Sequence, residues 1–312
     1  MKKRSVLFFV AIAICAVVAG CSSKKDSGKK YSYEGSVECD WFAYSTIDKS
    51  YMVENISFSK DDETAMLSYS NRTMGAKLSD MYRVYISKKQ DDKYSGLKKV
   101  EFDKEYYPIT ATICDDGNEV IFTGLLSEEA KTREGFANGC KLYIGDFDGE
   151  KVSNIRELKL EEDNCRYFVL SVLDDNSFIY NRMDLETGKM TLKYAKYQGG
   201  KYEVSEITDK KLDEYYWKTM YVVNGKAFMW RADESTHSFD ALISEFDDGS
   251  VSEVSSLSPE FMYNKDYADF YKAVGYDHNG GVYVYEKNHL ENNSGIIMYR
   301  NQIDYISFDR VK

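Results

Sequence analysis

Short runs of alternating apolar and polar residues cover most of the chain, and turn residues interrupt them at regular intervals. This alternation is typical of β-hairpins with one buried face. Five hairpins of one kind recur, with turns that start near residues 61, 115, 174, 224 and 278. Asn, Asp and Gly occupy these turns because tight hairpin turns need positive φ angles, which these residues adopt at low cost. The spacing predicts an internal repeat of roughly 50 to 60 residues.

Each hairpin is followed by a second turn and one further short strand. The second turns lie at residues 90–92, 148–149, 199–200, 248–249 and 300–301. Each repeat therefore has four strands in up-and-down order, which is the signature of a propeller blade. We predict an all-β fold, a β-propeller of five four-stranded blades within residues 32–312, with the first strand of every blade innermost. A pair of packed β-sandwiches is the main alternative.

Residues 31–50 precede the first repeat and contain two strand-like patches, around Val37 and Phe42. A propeller must hide the edges of its sheets. This segment therefore either closes the ring by pairing with the last repeat or is the remnant of a sixth blade. The sequence leaves both alternatives open.

The repeat at residues 115–158 is similar to the WD40-like repeat of the TolB family. The similarity rests on residues 115–123, which match that family's turn and second strand, and on residues 141–149, which match its third strand and following turn. It covers about 45 residues, and the other repeats share only the period. That family is a fold class with varied roles, so the resemblance implies architecture rather than activity.

The first residues have the organisation of a secretory signal. Residues 2–4 are basic, and residues 6–19 form a continuous apolar run that is shorter than the roughly 20 residues of a membrane-spanning helix. The run ends at Val18-Ala19-Gly20-Cys21, which resembles the lipobox of bacterial lipoproteins. The resemblance implies that Cys21 carries a diacylglyceryl group and becomes the first residue after cleavage.

These features predict three segments: a signal peptide at residues 1–20, a flexible, basic, lipid-anchored tether at 21–31, and the propeller. The expected location is the extracytoplasmic face of a cell membrane or outer envelope. The formal net charge of −11 argues against nucleic acid as a partner, because phosphate contacts need an excess of Lys and Arg. The expected partners are the membrane, through the anchor, and an envelope glycan or protein.

Cationic and aromatic residues recur where first strands begin and second strands end, two positions that fall on one face of a propeller. In an acidic domain, such a rim is a candidate site for an anionic or sugar ligand. The alternative is that these cations pair with nearby acids such as Asp184. The predicted rim consists of Arg72, Arg166, Arg182, Trp217, Lys218, Arg231, Tyr271, Lys272 and Lys287.

Four cysteines remain beyond the signal and the anchor: Cys39, Cys114, Cys140 and Cys165. Outside the cytoplasm disulfides persist, and Cys140 and Cys165 both begin strands near the loop face, so they are the predicted pair. Free buried thiols are the alternative. No C-x-x-C motif occurs and the three histidines are scattered over the sequence, so we expect no metal site and no cofactor.

Catalysis has little support in the sequence. The predicted innermost strands, the first of which is residues 56–59, contain no Asp or Glu, whereas propeller glycosidases need a pair of carboxylates. We therefore predict no catalytic residue and a non-catalytic module that binds an anionic, glycan or protein ligand. The alternative is an extracellular enzyme that acts on a glycan or peptide with carboxylates supplied by loops.

The lipobox generates the first testable prediction. Cys21→Ser removes the thiol that accepts the lipid, so it is expected to abolish both lipid attachment and cleavage before residue 21. Metabolic labelling with a radioactive fatty acid, followed by immunoprecipitation, measures the attachment. Equal label on the variant and the unmodified protein would refute the lipobox.

Overall fold

The computed structural model describes residues 31–39, 51–71, 77, 80–90, 93–160, 164–174, 176–209, 219–233, 238–256, 268–279, 281–291 and 297–310. The signal peptide, Cys21 and the tether lie outside these ranges, so they stay predictions. No helix in the described part of the chain is long and apolar enough to cross a membrane.

In the described residues, twenty-one strands form five sheets, named I to V here, in which all neighbouring strands but one short pair are antiparallel. Sheet I contains β2 (Tyr51–Phe58), β3 (Thr64–Asn71), β4 (Tyr82–Gln90) and β5 (Lys93–Lys99). Sheet II contains β6 (Glu101–Phe102), β7 (Tyr106–Ile113), β8 (Glu119–Leu126), β9 (Lys141–Phe147) and β10 (Lys151–Glu157). Its short β6 runs parallel to β10, so this sheet has five strands rather than the predicted four.

Sheet III contains β11 (Cys165–Asp174), β12 (Ser177–Asp184), β13 (Met190–Gln198) and β14 (Lys201–Glu206). Sheet IV contains β15 (Thr219–Val223), β16 (Lys226–Asp233), β17 (Ser238–Asp247) and β18 (Ser250–Ser256). Sheet V contains β19 (Ala268–Tyr276), β20 (Gly281–Glu291), β21 (Ile297–Arg310) and β1 (Tyr31–Cys39). A 3₁₀ turn (Glu129–Lys131) and the helix α1 (Arg133–Asn138) lie between β8 and β9.

The sheets surround a common axis. The first strand of each repeat, namely β2, β7, β11, β15 and β19, lies at one edge of its sheet, and each contacts the first strand of the next sheet. The series is cyclic, since β19 also contacts β2. The predicted all-β, propeller-like fold with its first strands innermost is confirmed, and two face-packed sandwiches do not describe this arrangement.

Sheet V departs from the predicted repeat. A turn was expected at residues 300–301, but β21 is a single strand that pairs with β20 from Ile297 to Ser307. The outermost strand of the sheet is instead β1, whose Tyr31 pairs with Arg310 and whose Cys39 pairs with Ile303. Residues 31–39 therefore close the ring by pairing with the last repeat, and they are not the remnant of a sixth blade. The patch around Phe42 lies outside the described residues.

The hydrophobic core lies between neighbouring sheets. Tyr69 and Leu67 of sheet I pack against Val274 of sheet V, and Phe122 of sheet II packs in a cluster with Met66 of sheet I. All these side chains are buried. Sheet I therefore buries both faces against its neighbours, which explains why consecutive residues of β2 and β3 are so often buried.

Small hydroxyl side chains join innermost strands to the neighbouring sheet across the boundaries between sheets. The edge of each first strand that faces the axis has backbone groups that no strand pairs, and buried backbone groups need partners. A serine or threonine accepts a backbone N–H from the next sheet at three boundaries: Ile113 to Ser57 Oγ at 3.0 Å, Val169 to Thr123 Oγ1 at 2.9 Å and Val222 to Ser171 Oγ at 3.2 Å.

These contacts predict the effect of removing a single hydroxyl group. Ser171→Ala leaves the N–H and C=O of Val222 without the hydroxyl that both contact. We expect a loss of about 1–3 kcal/mol in the free energy of unfolding, measured by urea denaturation. Ser205→Ala, at an exposed position of β14, is the matched control and is expected to change it by less than about 0.5 kcal/mol. Equal effects in the two variants would contradict this role for Ser171.

Candidate functional site: a cavity on the propeller axis

A cavity of about 700 Å³ lies on the axis, at the end where the first hairpin of every sheet turns. Its wall is formed by the last residues of the innermost strands. Each of the five turns contributes a polar residue to the lining: Lys60, Asp115, Asp174, Asn224 and His278. The volume falls in the range of small-molecule sites, roughly 300–1,000 Å³.

This end of the axis is opposite to the predicted rim. The turn residues therefore have more than the structural role that the sequence predicts, and His278 is more than one of three scattered histidines. The register of the repeats does predict that these turns cluster. A repeat that brings strand ends together on one face of the propeller also brings the hairpin turns together on the other face.

Outer strands add charge to one side of the cavity. Lys196 Nζ lies 2.6 Å from Asp248 Oδ1, and the Tyr194 hydroxyl donates to the same oxygen at 3.0 Å. The Lys196 hydrogen bond and then that of Tyr194 hold the pKa of Asp248 below its ordinary value. This ion pair joins sheet III to sheet IV at the cavity lining.

A second polar cluster joins sheet I to sheet V. The carboxylate of buried Asp62 accepts from His278 Nδ1 at 2.8 Å and from Asn279 Nδ2 at 2.9 Å. Asp62 has a φ of 56°, a left-handed conformation that aspartate tolerates better than most residues. The turn of the first hairpin is therefore bound to the turn of the last one.

Deeper along the axis, Glu54 corrects the expectation that the innermost strands carry no acid. The strand β2 begins at Tyr51, five residues before the predicted strand, and so it includes Glu54. The Ser70 hydroxyl donates to its carboxylate. Burial raises the pKa of Tyr221, and the charge of Glu54 raises it further. Glu54 therefore lies near a tyrosine that lines the cavity.

The predicted rim is only partly described. Arg166 pairs in register with Met183, one residue from Arg182, so these two arginines lie at the same end of sheet III. Arg182 Nη1 lies 3.6 Å from Asp184 Oδ2. This is the pairing that we expect if the rim cations serve nearby acids rather than a ligand.

The other rim residues divide into two groups. The register places Tyr271 and Lys272 of β19 close to Lys287 of β20, at the open end of their hairpin, and Arg231 lies in β16 opposite Asp240. Arg72, Trp217 and Lys218 lie outside the described residues. The rim as a binding site therefore stays a prediction.

The predicted disulfide between Cys140 and Cys165 is not formed in the structure, and Cys114 is not in a disulfide either. Cys140 is buried and its Sγ donates to the carbonyl oxygen of Phe136 at 3.4 Å. Burial raises the pKa of Cys140 to about 11, although Arg166 opposes the shift. The alternative of cysteines without a disulfide describes these three residues.

Among the residues that the structure describes, no group of three His, Cys, Asp or Glu side chains is placed to hold a metal ion. The donors at the cavity are instead engaged with one another, as His278 is with Asp62 and Lys196 with Asp248.

No family model matches the chain, and no curated protein sequence matches it. Solved structures that are similar in shape include prolyl oligopeptidase B from Galerina marginata (10% identity, TM-score 0.42, 81% of this chain and 42% of that one). An α-L-arabinofuranosidase from Podospora anserina has 8% identity and a TM-score of 0.47, over 90% of this chain and 98% of that one. A sialidase from Trypanosoma rangeli has 10% identity and a TM-score of 0.45, over 88% and 60%.

The chain spans between 33% and 57% of the length of the first three similar structures, which are a puromycin hydrolase, a polysaccharide lyase and the prolyl oligopeptidase. Likenesses at these identities and TM-scores are too remote to assign an activity to this chain.

The cysteine environment yields a prediction. Because the raised pKa keeps the Cys140 thiol protonated at about pH 8, iodoacetamide is expected to leave Cys140 unlabelled in the folded protein. In denaturant without reductant, both Cys140 and Cys165 are expected to be labelled, which peptide mass mapping measures. Labelling that requires prior reduction would instead establish the disulfide.

Proposed function

We propose that this chain is a lipid-anchored cell-envelope protein whose propeller binds a polar ligand in the axial cavity without converting it. The five sheets act as five blades, with β1 completing the last one. The observation that carries the proposal is the cavity itself, to which all five hairpin turns contribute a polar residue.

The lining favours a ligand with several hydrogen-bonding groups. Lys60 and Lys196 supply donors, whereas Asp115, Asp174 and Asp248 supply acceptors. Apolar strand residues form the wall between them, as in most small-molecule sites. A short glycan or peptide of mixed charge satisfies such a lining better than the purely anionic ligand that the rim suggested.

Several observations favour binding over catalysis. Burial raises the pKa of Tyr221, so its hydroxyl stays protonated and is a poor nucleophile. His278 donates from Nδ1 to Asp62, whose carboxylate occupies that side of the ring. Among the residues that the structure describes, this arrangement differs from a hydrolytic site, in which the histidine also contacts a nucleophilic hydroxyl or thiol.

Anchoring rests on the lipobox at Val18-Ala19-Gly20-Cys21 and on the polar residues that follow it. The tether contains four lysines and one aspartate, and a basic tether adds attraction to anionic headgroups beside the acyl chains. The acidic propeller is repelled by the same headgroups. The cavity is thereby held near the membrane but open to the extracytoplasmic side.

A glycan- or peptide-processing enzyme is the second candidate function, and Glu54 is the observation that favours it. Its carboxylate lies on an innermost strand, near Tyr221. Glycoside hydrolysis uses two carboxylates as a rule, so the enzyme requires a second acid, for which Asp174 at the end of β11 and Asp115 in a hairpin turn line the cavity. Glu54→Gln separates the two functions, because it abolishes turnover by an enzyme but leaves binding in the cavity of a non-catalytic protein.

The binding proposal predicts that blocking the cavity abolishes ligand-dependent stabilisation. Val223 shares a face of β15 with Tyr221, so Val223→Trp fills the cavity. Thermal melting is measured with muramyl dipeptide, chitotriose, trilysine and trialanine as probes. At least one probe is expected to raise the melting temperature of the unmodified protein, since a ligand at about 100 times its Kd stabilises by about 2.7 kcal/mol.

The control is Leu126→Trp, the same new side chain at an exposed position of sheet II, which is expected to keep the shift. A shift that survives in Val223→Trp would place the site elsewhere. The absence of any shift in the unmodified protein would refute a binder of these glycan and peptide classes.

A further inference from the structure

The boundary between sheets I and V differs chemically from the three boundaries joined by serine and threonine hydroxyls. Here the contact is made by an ionisable pair, Asp62 and His278, whose side chains are 6% and 17% exposed. Asp62 Oδ1 also accepts from the backbone N–H of His278 at 3.3 Å. One carboxylate thus receives three donors from the opposite turn when the Asn279 amide is included.

Neighbouring groups fix both partners in place. The Tyr94 hydroxyl donates to the Asp62 carbonyl oxygen at 2.6 Å. On the other side, buried Asp277 accepts from the Asn279 N–H at 3.1 Å. Asn224 of sheet IV donates its side-chain amide to the His278 carbonyl oxygen at 3.1 Å. His278 therefore lies where sheets I, IV and V meet, at the lining of the axial cavity.

The charged groups around the imidazole are mostly acidic. Asp61 and Asp62 face it from the first hairpin turn, Asp115 from the turn of sheet II, and Asp277 from its own hairpin. Lys60, which lines the same cavity, is the opposing cation. Burial disfavours the charged imidazolium, but the hydrogen bond to Asp62 and the charges of Asp62, Asp115 and Asp277 outweigh it, and the pKa of His278 is raised above its ordinary value.

We propose that Asp62 and His278 form a pH-dependent clamp that closes the ring between its first and last sheets at the mouth of the cavity. When His278 is protonated, an ion pair joins the two turns. When the imidazole loses its proton, Nδ1–H still reaches Asp62, but the attraction between opposite charges is lost and the two hairpins separate more often. The clamp thereby makes access to the cavity depend on pH.

The sign of the pH dependence follows from linkage. A histidine whose pKa is higher in the folded state than in the unfolded state, where it is about 6.5, stabilises the fold fully at lower pH. That contribution is lost as the pH rises through the folded-state pKa. The clamp is therefore closed under mildly acidic conditions and weakened under mildly alkaline ones.

Hydrogen exchange of the unliganded protein tests the clamp, so its failure is distinct from failure of the proposed ligand site. Exchange is measured at about pH 5.5 and pH 8.5 and corrected for intrinsic rates, over residues 56–62 and 274–279. Protection of both segments is expected to fall at the higher pH, by up to about tenfold for each unit by which the folded pKa of His278 exceeds 6.5. Equal protection at the two pH values would overturn the proposal.

His278→Asn tests whether the charge is responsible. The Asn amide nitrogen occupies the place of Nδ1 and keeps a neutral hydrogen bond to Asp62, so protection is expected to be the same at both pH values. Lys196→Met is the matched control: it removes the ion pair between sheets III and IV, and the wild-type pH dependence at the clamp is expected to remain. A His278→Asn variant with the wild-type pH dependence would overturn the proposal.

A measurement on the unmodified protein does not depend on whether these variants fold. The chain has three histidines, so ring-carbon resonances of labelled histidine give three titration curves. One curve, assigned to His278 by its absence in His278→Asn or by its contacts with Asp62, is expected to have a midpoint above about 6.5. A midpoint at or below that value would overturn the clamp.

Discussion

The unpaired edge of each innermost strand is the constraint on which the structure depends. A ring of separate sheets leaves five such edges facing neighbouring sheets, and buried N–H and C=O groups without partners cost free energy. Short hydroxyl side chains, such as Ser57, Thr123 and Ser171, meet this need because they reach the next strand without holding the sheets apart. Packing alone would bring the sheets together, but these contacts also fix how far each sheet slides along the axis.

The sequence predicts the repeat well because hairpin turns are local. Asn224 and Gly225 both have positive φ, as the tight turn requires, and no distant residue needs to be known. Sheet V shows where local reasoning ends. Arg300 and Asn301 have the composition of a turn, yet they continue β21, because both pair with β20, at Asn288 and Lys287. Long-range pairing outweighs local preference there.

The candidate site is less predictable for the same reason. Asp62 and His278 are 216 residues apart in the chain, and no sequence motif around either residue predicts their contact. Register predicts that the five turns meet at one end of the axis, but not which of their side chains point inward. Glu54 was missed more simply, since a strand boundary misplaced by five residues left it outside the innermost strand.

The pairing of β1 with β21 also sets an order of events during synthesis. Tyr31 emerges early, whereas its partner Arg310 emerges after every other strand, so β1 waits without a partner while sheets I to IV assemble. Closing so long a loop is entropically costly and slow. Until then β1 and the open edge of sheet V each offer unpaired backbone groups to other chains. The period before ring closure is when a nascent chain is most exposed to aggregation, and a factor that covers β1 during this period would protect it.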